Sequence, residues 1–515
     1  MTLVRLALAG TRTDTLRVLL IGLSACLAAL ILLAELTVFA IPTPPLDPDD
    51  RSANHATQYS SNLLSEPGLR PGLAITLLLF SIPVLALAGQ CARLGAPARD
   101  RRLAAIRLAG ATPRQAVTIA SAETGVASQL GAVVGLGVYL LGRELLHRPD
   151  AAGLLPLPTD VLPSPYAIVT VLLGLPLVAA LATAILSRQV VMTPTGVVRR
   201  VRRVGAPGWW PGVLIGIGLA IFAGFEVALR WLNQQGWNPA GAVLILTLML
   251  GALLATIGVV LGTGWISHTT GRLLHRFGRG PAALLAARRL TADPWNGSRA
   301  FAALLACVIF GAGAIGARAY FVTQDRAEVE QLLAARSGAD EGFIAPVNPF
   351  YLNTVSLVDT AVLVAMAIAI TGLLVMLAEG IVARRRTYAA LVATGVPRSV
   401  LGRAILWQSA APVLPAILIA LAVGWQLTRG YFGDVVTSRG TTTFCDAEAA
   451  LCEDPATREQ YLRQVEYPAA EYAVALPLTD LAVFGAGAFG AILLTVAIGL
   501  LFLRTSTSPE ELRTT

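Results

Sequence analysis

The chain runs to 515 residues, of which 55% are hydrophobic and 14% charged, with a mean hydropathy of +0.68. All 39 basic residues are arginine and none is lysine, so the chain cannot supply the lysine that a standard phosphate-binding loop sets against a nucleotide. The formal charge of +8 follows membrane topology and does not signal nucleic-acid binding.

Ten apolar runs punctuate the sequence, at 16–41, 71–92, 116–141, 167–186, 211–229, 240–265, 300–322, 355–382, 404–427 and 478–503. A helix needs about 20 residues, at a rise of about 1.5 Å each, to cross about 30 Å of hydrocarbon. The expected fold is therefore an all-α polytopic membrane protein with ten transmembrane helices. The first run contains a small-residue site at Val38-Phe39-Ala40, but it is longer than the apolar core of a signal peptide and reads as a retained anchor.

Arginine sets the orientation. With the N-terminus cytoplasmic, the inner segments hold 27 of the 39 arginines and the outer loops hold 12. Of the 31 acids, 20 fall in outer loops, 5 in inner segments and 6 within or at the ends of spans. Both termini are expected inside, with anionic lipid facing the inner arginines. Trp209, Trp210, Trp231, Trp237, Trp265 and Trp407 stand near span ends as interfacial anchors.

After the second span the sequence reads Arg101-Arg102, an apolar stretch containing Arg107, then Gly110 and Pro113-Arg114. After the eighth it reads Arg384-Arg385-Arg386, an apolar stretch, Gly395 and Pro397-Arg398. Arg101, Gly110 and Glu123 recur at a spacing of 285 residues as Arg386, Gly395 and Gln408. The repeat makes spans one to four correspond to seven to ten, with spans five and six as a connection. Copies of the same orientation are expected to be related by an axis along the membrane normal. Each repeated segment reads as a short amphipathic helix, with Tyr388, Leu391 and Val392 on one face and glycine where a left-handed C-cap belongs.

Ionisable residues inside spans are costly and mark candidate mechanism. Glu35, Glu226 and Asp359 lie toward the outer ends of their spans, and Arg318 occupies the seventh-span level that Glu35 approaches on the first. A Glu35–Arg318 contact between the two halves is expected. Glu123 and Glu379, near inner ends, are expected to pair with arginines of the repeated segments. The histidines His55, His147, His268 and His275 have no metal-ligand spacing, and no catalytic constellation is present.

Cys26, Cys91 and Cys307 fall in or beside spans, whereas Cys445 and Cys452 share the acidic outer loop 428–477. One disulfide is expected there. Two free thiols or a metal pair are the alternatives; only Asp446, Glu448, Glu453 and Asp454 are at hand as co-ligands, which makes metal the weaker one. The loop could serve as a substrate gate, a partner site or an ordered cap.

The paired arginine–apolar–glycine–Pro-Arg segments, each leading into a long span, resemble the signature of FtsX-like permeases, the membrane subunits of type VII ABC transporters. The whole chain resembles their ten-span, two-module members, of which bacitracin-resistance permeases are a type. The resemblance implies a first module at 1–188, a connecting pair of spans at 189–298 and a second module at 299–515. It implies that Arg101, Arg102, Arg107, Gly110, Pro113 and Arg114, and Arg385, Arg386, Gly395, Pro397 and Arg398, form coupling helices on two copies of a cytoplasmic ABC ATPase subunit. ATP and Mg would then be bound by that partner, with no cofactor in this chain and no enzyme activity of its own.

The implied location is the bacterial inner membrane, and the implied function is export or extraction of an amphipathic peptide, drug or lipid. The alternative is a non-transporting signalling or regulatory scaffold driven by the same ATPase, with a sensor or outer-face partner. An ion-coupled carrier is disfavoured because no span has a central charge pair. Loops 42–70 and 323–353 are short where the family usually carries a large outer domain.

Overall fold

The computed structural model of the chain describes residues 12–42, 56–67, 69–70, the single positions 73, 77, 81, 84 and 108, and 110–191, 208–236, 241–335, 350–383, 390–437, 439–445, 459–467 and 469–506. Its helices are α1 (Arg12–Ala40), α2 (Asn62–Ser65), α3 (Pro113–Leu146), α4 (Pro165–Val191), α5 (Trp210–Gln234), α6 (Gly241–Phe277), α7 (Pro281–Ala292), α8 (Pro294–Ala335), α9 (Phe350–Ala383), α10 (Arg398–Phe432) and α11 (Leu478–Ser506). Four short strands, β1 (Val435–Thr437), β2 (Gly440–Cys445), β3 (Leu462–Tyr467) and β4 (Ala470–Tyr472), lie between α10 and α11.

Eight helices among the described residues, α1, α3, α4, α6, α8, α9, α10 and α11, are long and apolar enough to cross a membrane. In α5 the apolar stretch is shorter, Trp210–Phe225. The expected second span, 71–92, falls almost wholly outside the described residues. The 42 residues of α8 extend roughly 60 Å at helical rise, about twice the hydrocarbon thickness, so this helix must project from the membrane.

Small residues set the packing. A Cβ on Gly131 of α3 would collide with the backbone of Gly22 on α1, and a Cβ on Gly424 of α10 would collide with the backbone of Ile309 on α8. Backbones approach that closely only where side chains are absent, the usual basis of helix association in lipid. The neighbour order also recurs: α1, α3 and α4 pack on one another as α8, α10 and α11 do. The main core joins Leu304, Leu305 and Val308 of α8 to Leu373 of α9, Ile417 of α10 and Ile492 of α11, with Ala255 and Val259 of α6 added from outside that group. Among the described residues the halves meet at α9, whose Ile368 and Val375 pack against the cluster of Ile21 of α1 and Ala127 of α3, and Ile368 also against that of Ala28 and Ile31 of α1.

Beyond α10 the chain forms a two-stranded ribbon. β1 pairs with β4 and β2 with β3, both antiparallel, and the register Val435↔Tyr472 continues without slip to Cys445↔Leu462. Among the described residues, the segment between α10 and α11 is thus a ribbon whose two arms are paired. Cys452 and the side chain of Cys445 lie outside the described residues, and so does the expected disulfide.

Candidate functional site

Each repeated segment ends on a left-handed glycine, Gly110 at φ +99° and Gly395 at φ +90°. In the second copy the Val396 N–H donates to the Leu391 carbonyl (3.1 Å) and the Gly395 N–H to the Val392 carbonyl (3.0 Å), the paired bonds that close a helix in a Schellman motif. Leu391, Val392 and Val396 pack against the main core, so the segment is anchored to α8–α11. Pro397 then caps α10, whose first residue is Arg398. The first copy starts α3 with a reciprocal capping box: the Gln115 N–H donates to Thr112 Oγ1 (3.3 Å) and the Thr112 N–H to Gln115 Oε1 (2.8 Å), with Pro113 in the first turn. Arg114 and Arg398 are exposed. Arg101, Arg102, Arg107, Arg385 and Arg386 lie outside the described residues.

One element at this end was not foreseen. Helix α7 buries Ala283, Ala286, Ala287 and Leu290 against α6 and α10, while Arg288 faces outward. Those four positions follow the helical period directly after Pro281, a signal short enough to be hidden beside the much longer apolar runs.

At the opposite end of the second half, a cavity of about 290 Å³ opens between α5, α6, α8, α9 and α10. Its walls are Phe222, Ile309, Phe310, Val358, Leu427 and Phe432 in the main, with Gly313, Ala314, Ala317 and Gly424 leaving the space. Both threonine hydroxyls of the lining are already used: Thr256 Oγ1 donates to the Ala252 carbonyl (2.7 Å) and Thr428 Oγ1 to the Gly313 carbonyl (3.0 Å). An aromatic cluster adjoins it. Phe432 stacks on Tyr320 at 4.6 Å and meets Phe321 edge-on at 5.5 Å; Phe321 stacks on Tyr351 at 4.6 Å, and Tyr431 meets Phe432 edge-on at 4.8 Å.

The span charges sort differently from expectation. Arg318 Nη2 donates to Asp359 Oδ2 at 2.5 Å, joining α8 to α9 beside the lining residues Ala317 and Val358. Arg318 is therefore not the partner of Glu35, which is half-buried on α1 and forms no ion pair with a described residue. The reason is which helices meet: α8 packs closely along α9 and makes no extensive contact with α1 among the described residues. The side chains of Glu226 and Glu379 lie outside the described residues, and Glu123 is buried on α3.

Further polar anchors fix the connecting segments of the bundle. Arg429 clamps Asp434 through Nη1–Oδ1 (2.6 Å) and Nη2–Oδ2 (2.7 Å), and the Val474 N–H donates to Asp434 Oδ1 (3.0 Å). These bonds hold the Asp434 carboxyl below its ordinary range. Gly433, at φ +65°, makes the intervening turn, and Gln331 of α8 donates to Thr437 (2.6 Å), so the ribbon base is tied to both helices. In the first half, Arg70 is 5% exposed and donates to the carbonyls of Leu64, Ile41 and Pro42, gathering the end of α1 into the following loop. Tyr59 donates to Asp160 (2.8 Å), and burial together with that bond pushes its phenol pKa up. The long-range partners of these residues leave no local sequence signal.

Among the described residues no group of three or more His, Cys, Asp or Glu could hold a metal ion. Residues 360–447 match the family model of the FtsX-like permease C-terminal region. The match takes in α9 from residue 360 onward, the second repeated segment, α10 and the start of the ribbon. No curated protein matches the chain.

Proposed function

We propose, from the match of residues 360–447 to the FtsX-like permease C-terminal region, that the chain is the membrane subunit of an ABC transporter that exports or extracts an amphipathic compound. The observation that carries this is the pair of left-handed glycines closing the two repeated arginine segments at the starts of α3 and α10. Each segment would dock one cytoplasmic ATPase subunit, and ATP with Mg would be bound there. In this reading the arginine-bearing end and both termini are cytoplasmic, and the cavity and ribbon face outward.

Helix α10 is the natural transmitter. It runs without a break from Arg398, next to the second segment, to Phe432 in the cavity wall. Pro412 and Pro415 inside it remove two backbone donors and supply a bending point. The ordered ribbon favours a second reading, in which the same motion signals to an outer-face partner and nothing is moved.

The test is purification with the ATPase subunit and measurement of the complex mass. One chain with two ATPase subunits is expected; two permease chains per ATPase pair would overturn the arrangement. Reversing charge at Arg101, Arg102, Arg385 and Arg386 together is expected to abolish ATPase coupling while insertion persists.

A further inference from the structure

We propose that the cavity between α5, α6, α8, α9 and α10 binds one unbranched alkyl or acyl chain of an amphiphile, with the polar head left at the aromatic rim. Its role in transport rests on the permease reading above; binding itself does not.

At about 290 Å³ the cavity lies at the small end of ligand pockets, which start near about 300 Å³, so it holds a single chain and not a folded peptide. The walls ask for hydrocarbon. Ile309, Phe310, Val358 and Leu427 present carbon, and both nearby threonine hydroxyls donate to backbone carbonyls instead of to an occupant. The space exists because Gly313, Ala314, Ala317 and Gly424 are small, at positions where larger residues would close it. Tyr431 and Phe432 are the aromatic lining residues, and Tyr320 stacks on Phe432 behind them; tyrosine is a residue type suited to the border between chain and head.

The full chain, without any ATPase, is reconstituted in phospholipid nanodiscs with a trace of palmitic acid carrying a mid-chain diazirine, irradiated, and mapped by peptide mass spectrometry. Adducts are expected on the α8 and α10 segments 309–317 and 424–432, and excess unlabelled palmitate should displace them. Filling the space with Ala314→Leu and Ala317→Leu is expected to cut that labelling about tenfold, equivalent to roughly 1.4 kcal/mol of chain binding. Labelling spread evenly over α3, α4 and the cavity segments, and not displaced by palmitate, would mean annular lipid only and overturn the proposal. Should the filled variant fail to fold, the displacement result decides alone. Because no ATPase is present, failure here leaves the coupling reading standing, and a failed ATPase association leaves this site standing.

Discussion

Arg318 of α8 and Asp359 of α9 hold each other at 2.5 Å, with 43% and 33% of their side chains exposed. The pair pins the two helices together beside the cavity. Its half-buried setting puts the value of the pair at about 1–2 kcal/mol, between a solvated pair and a fully buried one. Arg318→Gln and Asp359→Asn should each lower stability in lipid by that amount, and the exchange Arg318→Asp with Asp359→Arg should recover part of it. A double-mutant cycle with strictly additive losses would show that the two side chains are uncoupled. Glu35→Gln should change stability by less than about 0.5 kcal/mol.

Asp434 gives the ribbon a defined acid limit. The Arg429 guanidinium foremost, and then the Val474 N–H, lower its pKa from 3.8. A depressed folded-state pKa contributes stability that is complete above the unfolded value and lost as pH falls through the folded one. The ribbon base should therefore stay closed at pH 5 and loosen only below 3.8. Hydrogen exchange at Val435 and Val474, corrected for the intrinsic rate, reads this directly. Asp434→Asn should remove the acid step, and opening between pH 6 and pH 5 would assign control to another group.

Gly110 and Gly395 test the proposed coupling role of the repeated segments through the backbone alone. A Cβ on either would meet nothing within 4 Å, so alanine introduces only the cost of a left-handed φ, about 1 kcal/mol. Gly110→Ala and Gly395→Ala should fray the segment ends and lower ATPase stimulation, with insertion unchanged. Asparagine tolerates this conformation better and should retain more of the stimulation than alanine. Equal stimulation in all variants would mean that segment geometry does not carry coupling.

Gly131 and Gly424 test helix contact instead. Alanine at Gly131 must push α3 away from α1, and alanine at Gly424 must push α10 away from α8. Each should cost about 1–3 kcal/mol in unfolding measurements in nanodiscs, as overpacking does. Gly137→Ala, where a Cβ meets nothing within 4 Å, should be neutral or slightly stabilising. A similar loss at Gly137 would point to helix flexibility, and not contact, as the cause.

Hydropathy, charge and the repeated arginine–glycine segments are properties read along the chain, and they determined what they could. Long apolar runs became long helices because hydrocarbon obliges the backbone to satisfy its own hydrogen bonds within a span. Gly110 and Gly395 were legible as helix ends because a left-handed cap is a local event that glycine alone enters cheaply. Partnership was not local. Arg318 took Asp359 and not Glu35 because α8 packs along α9 and makes no extensive contact with α1 among the described residues. The cavity arises from small residues on α8 and α10 that coincide only after packing, and Arg70 is buried only when its loop folds back to the carbonyls of Ile41 and Pro42. Periodicity tells a helix which face to bury, but the choice of neighbour depends on shape summed over several helices, and that exists only in the assembled bundle.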